Sequence, residues 1–365
     1  VSEGATIAIV GVGLIGGSLG LALKRSGSAS HVVGVSRPET IDRALASGAI
    51  DEGVSYDALG EGVDGADIVF LCTPISRILE LLPVTMESVQ AGCVVTDVGS
   101  TKHAICEVAS AHRRPDVHFV GGHPMAGSEW RGVEAADPFL FQNAIYVLTP
   151  DVDVDESAVA SLADCVGSTG ARMLILDAET HDRVAAAISH LPQLMATSLV
   201  GMVGRLDAPE GLALKMAAGG FRDMTRIASS PYDMWRDICR TNAAAIRTCV
   251  SQFRESLDAI TARLEADELA SDFSYAQDIR AGIPSDSKGF MSPLHELRLM
   301  IEDRPGVIAE IGGLLAEAEI NIKDIEVMKV REGEGGSIRL GFGSSDDVEL
   351  AARLLEERGL TVLAR

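Results

Sequence analysis

Thr6-Ile7-Ala8-Ile9-Val10 runs directly into Gly11-Val12-Gly13-Leu14-Ile15-Gly16, and a helical stretch from Gly17 to Ser26 follows. The apolar run reads as a strand buried on both faces of a parallel sheet. In the glycine pattern that comes next, Gly11 permits the tight turn and Gly13 lets a pyrophosphate reach the backbone. Gly16 lets the helix pack closely on the strand. Leu14 and Ile15, between these glycines, join the cofactor-binding candidates, and the amides at the start of the helix attract phosphate. Strand, glycines and helix in this order predict a doubly wound α/β domain binding NAD or NADP. The plainer reading is a tight βα turn.

The next strand is Val32 to Val35. An NAD site carries Asp or Glu at its end to hold the ribose hydroxyls. Here Ser36 and Arg37 stand instead. Loss of the carboxylate removes repulsion of a 2′-phosphate, and an arginine binds that group, so the expectation leans to NADP. Arg37 could equally stack on adenine or face solvent. Further strands are Asp67–Cys72, ending in Thr73-Pro74; Val94–Asp97, leading to Ser100 and Lys102; and Ala144–Leu148. Ligands gather at the carboxyl ends of such strands.

After an apolar strand at His118 to Val120 comes Gly121-Gly122-His123-Pro124-Met125-Ala126-Gly127-Ser128-Glu129. A histidine on a loop between glycines and a proline suits proton transfer near neutral pH. A surface turn that happens to carry His is the alternative. Ser100 could orient the imidazole, contact the nicotinamide amide, or simply cap the helix that follows.

The chain has 365 residues, 47% of them hydrophobic, enough for two or three domains. Its net charge of −22 argues against nucleic acid or an anionic membrane as partner. Six cysteines without a C-x-x-C pair read as reduced thiols of a cytoplasmic protein. No signal peptide, membrane span or metal site is expected.

From about residue 156 to 268 helical periods dominate. His190 lies in an apolar helix, where a satisfied core histidine is the usual outcome. Arg222 follows a glycine break, and burial there would demand an anionic partner, either a ligand or Asp223 or Asp237. Residues 269–293 read as a linker. The last stretch gives strand Leu294–Ile301, helix Val307–Ala318, strand Asn321–Lys329, a turn at 333–336, strand Ser337–Phe342, helix Asp346–Arg358 and strand Leu360–Leu363. That βαββαβ order is the ferredoxin-like plan.

Six stretches carry a resemblance: residues 11–18, Leu71–Pro74, Thr96–Lys102, Gly121–Glu129, Ser189–Gln193 and Gly220–Arg226. Together, in this order, they resemble the prephenate/arogenate dehydrogenase family of tyrosine biosynthesis. The tail resembles an ACT regulatory domain. The resemblance implies a Rossmann-type dinucleotide-binding domain (1–150), an all-α substrate and dimerisation domain (151–268), the linker, and a ferredoxin-like ACT domain (294–365). It implies hydride transfer from prephenate to NAD(P) with loss of carbon dioxide. His123 would be the base and Ser100 would orient it. Arg222, His190 and, more weakly, Ser128 would meet substrate, with Lys102 a structural partner. Thr73 would join the cofactor residues. Asp303, Pro305, Gly306 and Asn321 would hold an amino-acid effector, tyrosine by expectation, in a homodimer. Arogenate is the alternative substrate, with Asp223 next to Arg222 as the discriminating acid. A β-hydroxyacid dehydrogenase and a silent amino-acid sensor are the remoter readings.

Overall fold

The computed structural model describes residues 4–127, 130–206, 211–282, 294–331 and 335–364. It divides into two compact units, residues 1–276 and 277–365.

The first unit is built on eight strands: β1 (Ala5–Val10), β2 (Ala29–Ser36), β3 (Glu52–Ser55), β4 (Ile68–Leu71), β5 (Val94–Asp97), β6 (His118–Pro124), β7 (Ile145–Pro150) and β8 (Arg172–Ile175). Their order is β3-β2-β1-β4-β5-β6-β7-β8. The first six run parallel, β7 is antiparallel to β6, and β8 is parallel to β7. This is the doubly wound sheet, with its topological switch between β1 and β4. Side chains alternate along β1, so Ile7 and Ile9 enter one hydrophobic cluster and Ala8 and Val10 the other. Both faces are covered, which is why the strand is apolar without interruption.

The glycine turn follows its predicted logic. Gly11 has φ +100°, and a side chain on Gly16 would sit 2.2 Å from the Gly11 carbonyl oxygen. The helix Leu14–Ser26 starts three residues earlier than expected.

The sheet does not stop at residue 150. After the helix Glu156–Gly167 the chain returns as β8 and pairs with β7. Its four residues, Arg-Met-Leu-Ile, are too short and too exposed at the sheet edge to show a strand period in the sequence. The helical part then begins with Ala178–Ala185, continues through a π-helical turn at Ala186–His190 and extends as Leu191–Leu206. An 18-residue window of this run reaches a mean hydropathy of 1.2. The run carries His181, Asp182 and His190, all buried. Tyr232–Thr241 and Ala243–Ala266 complete the main helices. The expected linker opens instead as a helix, Ala270–Ala281. Residues 283–293 lie outside the described residues.

The second unit has β9 (His295–Ile301), a helix Val307–Glu317, β10 (Asp324–Arg331), β11 (Gly335–Phe342), a helix Ser345–Glu357 and β12 (Thr361–Ala364). The antiparallel order β10-β11-β9-β12 is the ferredoxin-like sheet. Leu297, Leu299, Ile338, Leu340 and Phe342 meet Ile311, Leu315, Ala351 and Leu355 from the helices. Asn321 does not open β10 but lies three residues before it. Residues 333 and 334 of the expected turn lie outside the described residues, and Gly335 and Gly336 belong to β11.

Candidate active site

The site grows from the carboxyl ends of β5 and β6. β5 ends in Asp97, which is fully buried. A buried carboxylate needs several partners, and Asp97 has three. It pairs with the buried Lys102 ammonium, and it accepts the N–H of Gly99 at 2.7 Å and of Gly122 at 3.2 Å. Lys102 also donates to the Gly122 carbonyl at 2.6 Å. Both polar groups of Gly122 are thus held by one ion pair. A side chain on Gly122 would lie 2.4 Å from the Asp97 carbonyl, so this contact requires glycine. The clamp fixes the backbone immediately before His123.

His123 lies on β6, opposite Val147 of β7, not on a loop after the strand. The flanking glycines and proline mask the strand period, and the pairing with β7 extends it. The His123 Nδ1 is 2.8 Å from His181 Nε2, with the rings edge to face. His181 Nδ1 is 2.8 Å from Asp182 Oδ1. Asp182 in turn accepts the N–H of Lys102 at 2.7 Å and of His103 at 3.0 Å, capping the helix His103–Ala111 from outside. Asn242 donates to the Asp182 carbonyl at 2.7 Å and lies 3.2 Å from His190 Nδ1. His190 meets Trp235 edge to face.

Burial, the neighbouring His181, Lys102 and His190 together push the His123 imidazole well below the ordinary histidine range. A neutral ring is the form a base requires. His190 falls to about 4, chiefly through burial. Burial alone would raise the Asp182 carboxyl, but the hydrogen bonds from His181, Lys102 and His103 outweigh it and hold it below its usual value.

The nucleotide cradle lies at the carboxyl end of β1. The helix Leu14–Ser26 has no side-chain cap at Gly13, and the space where a Gly13 side chain would project is open to at least 4 Å. Thr73 Oγ1 is buried there without a hydrogen-bond partner, and Thr73 packs against Gly11. Uncapped amides, an open glycine and an orphaned hydroxyl fit a dinucleotide phosphate. Ser36 is buried at the end of β2, whereas Arg37 is exposed as the residue before the helix Pro38–Ala46.

Two of the candidate residues lie apart from these contacts. Among the described residues Ser100 makes no hydrogen bond to His123 or to the helix His103–Ala111; His181 lies against His123, and Asp182 accepts the first amides of that helix. Arg222 is exposed on the short helix Gly219–Thr225 and forms no ion pair with Asp223 or Asp237 among the described residues. Asp237 instead accepts the N–H of Ser76 at 2.9 Å, joining the helical part to the sheet domain. Gln193 is buried and donates to the Ile227 carbonyl at 3.0 Å, while its Oε1 has no hydrogen-bond partner. Ser128 lies outside the described residues. In the second unit Asp303, Pro305, Gly306 and Asn321 are exposed, and Gly306 turns at φ +89° into the helix Val307–Glu317. Among the described residues no His, Cys, Asp and Glu side chains cluster to hold a metal ion. A cavity of about 660 Å³ lies away from His123, between His103, Cys106, Arg113, His118 and Asp153.

Sequence reasoning missed His181, Asp182, Asn242 and the role of Asp97. The one signal was an adjacent His-Asp pair opening an otherwise apolar helix, and nothing in it names the partner 58 residues away.

Comparison with known proteins matches this architecture piece by piece. The nucleotide-binding domain of prephenate dehydrogenase matches residues 19–175, its dimerization domain residues 177–275, and the ACT domain residues 295–359. A prephenate dehydrogenase of Bacillus subtilis is 38% identical over 358 residues, spanning 97% of this chain and 96% of its own. The crystal structure of prephenate dehydrogenase from A. aeolicus, in complex with hydroxyphenyl propionate and NAD+, is 30% identical with a TM-score of 0.69. It covers 76% of this chain and 96% of its own. A Synechocystis arogenate dehydrogenase is also 30% identical, with a TM-score of 0.66, over 76% of this chain and 98% of its own. With matches along almost its whole length, a nucleotide cradle at β1 and a buried histidine chain at β6, the chain belongs to the prephenate dehydrogenase family.

Proposed function

We propose that this chain oxidises prephenate to 4-hydroxyphenylpyruvate with loss of carbon dioxide. The observation that carries the reading is His123, held neutral at the end of β6 with one ring nitrogen engaged by His181. Prephenate bears a hydroxyl on one ring carbon and a carboxylate with a pyruvyl group on the opposite one. Oxidation at the hydroxyl carbon and decarboxylation at the other make the ring aromatic, which drives the reaction. His123 accepts the hydroxyl proton. A bound nicotinamide dinucleotide, held by Gly11, Gly13, Leu14, Ile15, Gly16 and Thr73, supplies the hydride acceptor. Burial of the cluster excludes water from the proton path. Arg222 is assigned to a substrate carboxylate, and His190 lines the site through Asn242 and Trp235.

NADP is the assigned cofactor form, because β2 ends in Ser36 without a carboxylate and Arg37 is exposed with no ion pair among the described residues. The assembly is a homodimer formed through the helical part. An amino acid, assigned as tyrosine, binds the ACT unit around Asp303, Pro305, Gly306 and Asn321. A second reading, arogenate as substrate, draws on the likeness to the Synechocystis enzyme.

Initial rates with prephenate or arogenate, each with NAD or NADP, test these assignments together. Prephenate with NADP is the expected best pair. Preference for NAD removes the role given to Arg37, and turnover of arogenate alone replaces the substrate. No turnover with any pair overturns the reading. Tyrosine inhibition that survives deletion of residues 294–365 would place the effector elsewhere.

A further inference from the structure

The hydrogen-bond chain from His123 ends on a carboxylate, and this gives it a direction. Asp182 is an acceptor on every side: Lys102 and His103 amides reach it, and so does His181 Nδ1. An ionised carboxylate only accepts, so His181 Nδ1 carries a proton and donates it. When neither ring carries a second proton, His181 Nε2 holds the lone pair. The nitrogen facing it at 2.8 Å, His123 Nδ1, must be the donor. His123 Nε2 is left as the lone-pair nitrogen. Asn242 fixes the neighbouring His190 in the same way, since its amide N–H donates to Nδ1 and leaves the proton on Nε2.

We propose that His181 and Asp182 are positioning residues that select the tautomer of His123, so that Nε2 is the unprotonated nitrogen offered to the substrate hydroxyl. The inference rests on His123 being the base. It adds that the orienting group comes from the helix Ala178–Ala185 and not from Ser100. The geometry is that of a base oriented by a third group, here with a second imidazole between the base and its carboxylate. Asp182 lies at the helix start where its two oxygens reach His181 and the amides of Lys102 and His103 together. One carboxylate therefore caps the helix that follows Lys102 and sets the base.

Selective 15N labelling of histidine in the full-length protein reads the tautomer directly, because protonated and lone-pair ring nitrogens resonate far apart. The His123 signals are identified by their loss in His123→Asn. The expected spectrum has a proton on His123 Nδ1 and a lone pair on Nε2. A proton on Nε2 in the unaltered protein would overturn the proposal, whatever the activity of His123→Asn. That variant separately tests His123 as the base.

Kinetics supply the second arm. His181→Leu leaves His123 Nδ1 without its acceptor and should lower kcat about a hundredfold, the low end of what general-base catalysis contributes, with KM nearly unchanged. His181→Gln offers a side-chain carbonyl to Nδ1 and should recover much of that loss. Recovery by glutamine with the native tautomer restored supports the proposal. Wild-type kcat in His181→Leu overturns it, as does a glutamine variant no better than leucine despite a native fold. If His181→Leu fails to fold, the spectrum of the unaltered protein still decides.

Discussion

The end of β5 and β6 and the segment from Gly211 to Ser230 belong to the same compact unit, yet they are built by opposite rules. At the strand ends Asp97, Lys102, His181, Asp182, His190 and Asn242 are all buried polar groups. Each is satisfied by another group of the same chain. Between residues 211 and 230 the helices Leu212–Met216 and Gly219–Thr225 and the turn Arg226–Ser229 contain no buried residue. Leu212, Leu214, Met216 and Met224 are all more than half exposed. The difference teaches where the chain completes itself. Buried charges cannot wait for a partner, because an unpaired one costs several kcal/mol. Exposed apolar and cationic side chains can wait, and this segment carries both, with Arg222 among them. An apolar face of this kind signals an interface.

The comparison breaks first at His123. His123→Asn should lower kcat by about 10²–10⁴, the range for a lost general base, while cofactor affinity measured by fluorescence titration stays close to native. Retained turnover would remove this histidine from the chemistry. Next is the clamp beneath it. Lys102→Met leaves Asp97 buried without its cation and should destabilise folding by about 3–5 kcal/mol, read from urea or thermal unfolding. A smaller loss, below about 1 kcal/mol, would mean that water reaches the pair.

The pH dependence sharpens the same contrast. His190 titrates at about 4 in the folded chain and near 6.5 once unfolded. Between those values the unfolded chain binds a proton that the folded chain refuses, so stability falls as pH falls, by about 3 kcal/mol in all. His123, lowered by burial, acts in the same direction. The acid limb of kcat should accordingly lie below the usual histidine range. An acid limb near pH 6.5 would show that the site is wetter than its burial implies.

The smallest effect belongs to the exposed segment. Arg222→Ala should raise KM for prephenate by roughly tenfold, the equivalent of one charge-assisted hydrogen bond, with little change in unfolding. A change confined to cofactor affinity would count against its role as anchor. A loss of stability would show that the residue is structural after all.

The residues themselves account for which parts were legible. Gly11, Gly13 and Gly16 announce their turn because each excludes a side chain for a local reason. The alternating strands and helices of the second unit announce themselves by period. β8 was hidden because four residues at a sheet edge carry too short a pattern. β6 was read as ending before His123 because glycines and proline suppress the strand signal that β7 then supplies. Ser100 was a reasonable guess for the orienting group, since serine next to a strand end often binds its neighbours. Competition among hydrogen-bond partners settles such questions, and here a helix about 80 residues further along supplied both the imidazole and the cap.

Sequence alone therefore determined the sheet domain, the glycine turn of the nucleotide cradle, the helical part and the ferredoxin-like tail. These rest on local steric and periodic rules that act over a few residues. Only the tertiary structure decided which groups lie against His123 and that Arg222 is exposed. Those outcomes depend on which distant polar groups are buried together, and burial is a property of the packed chain rather than of any stretch of it.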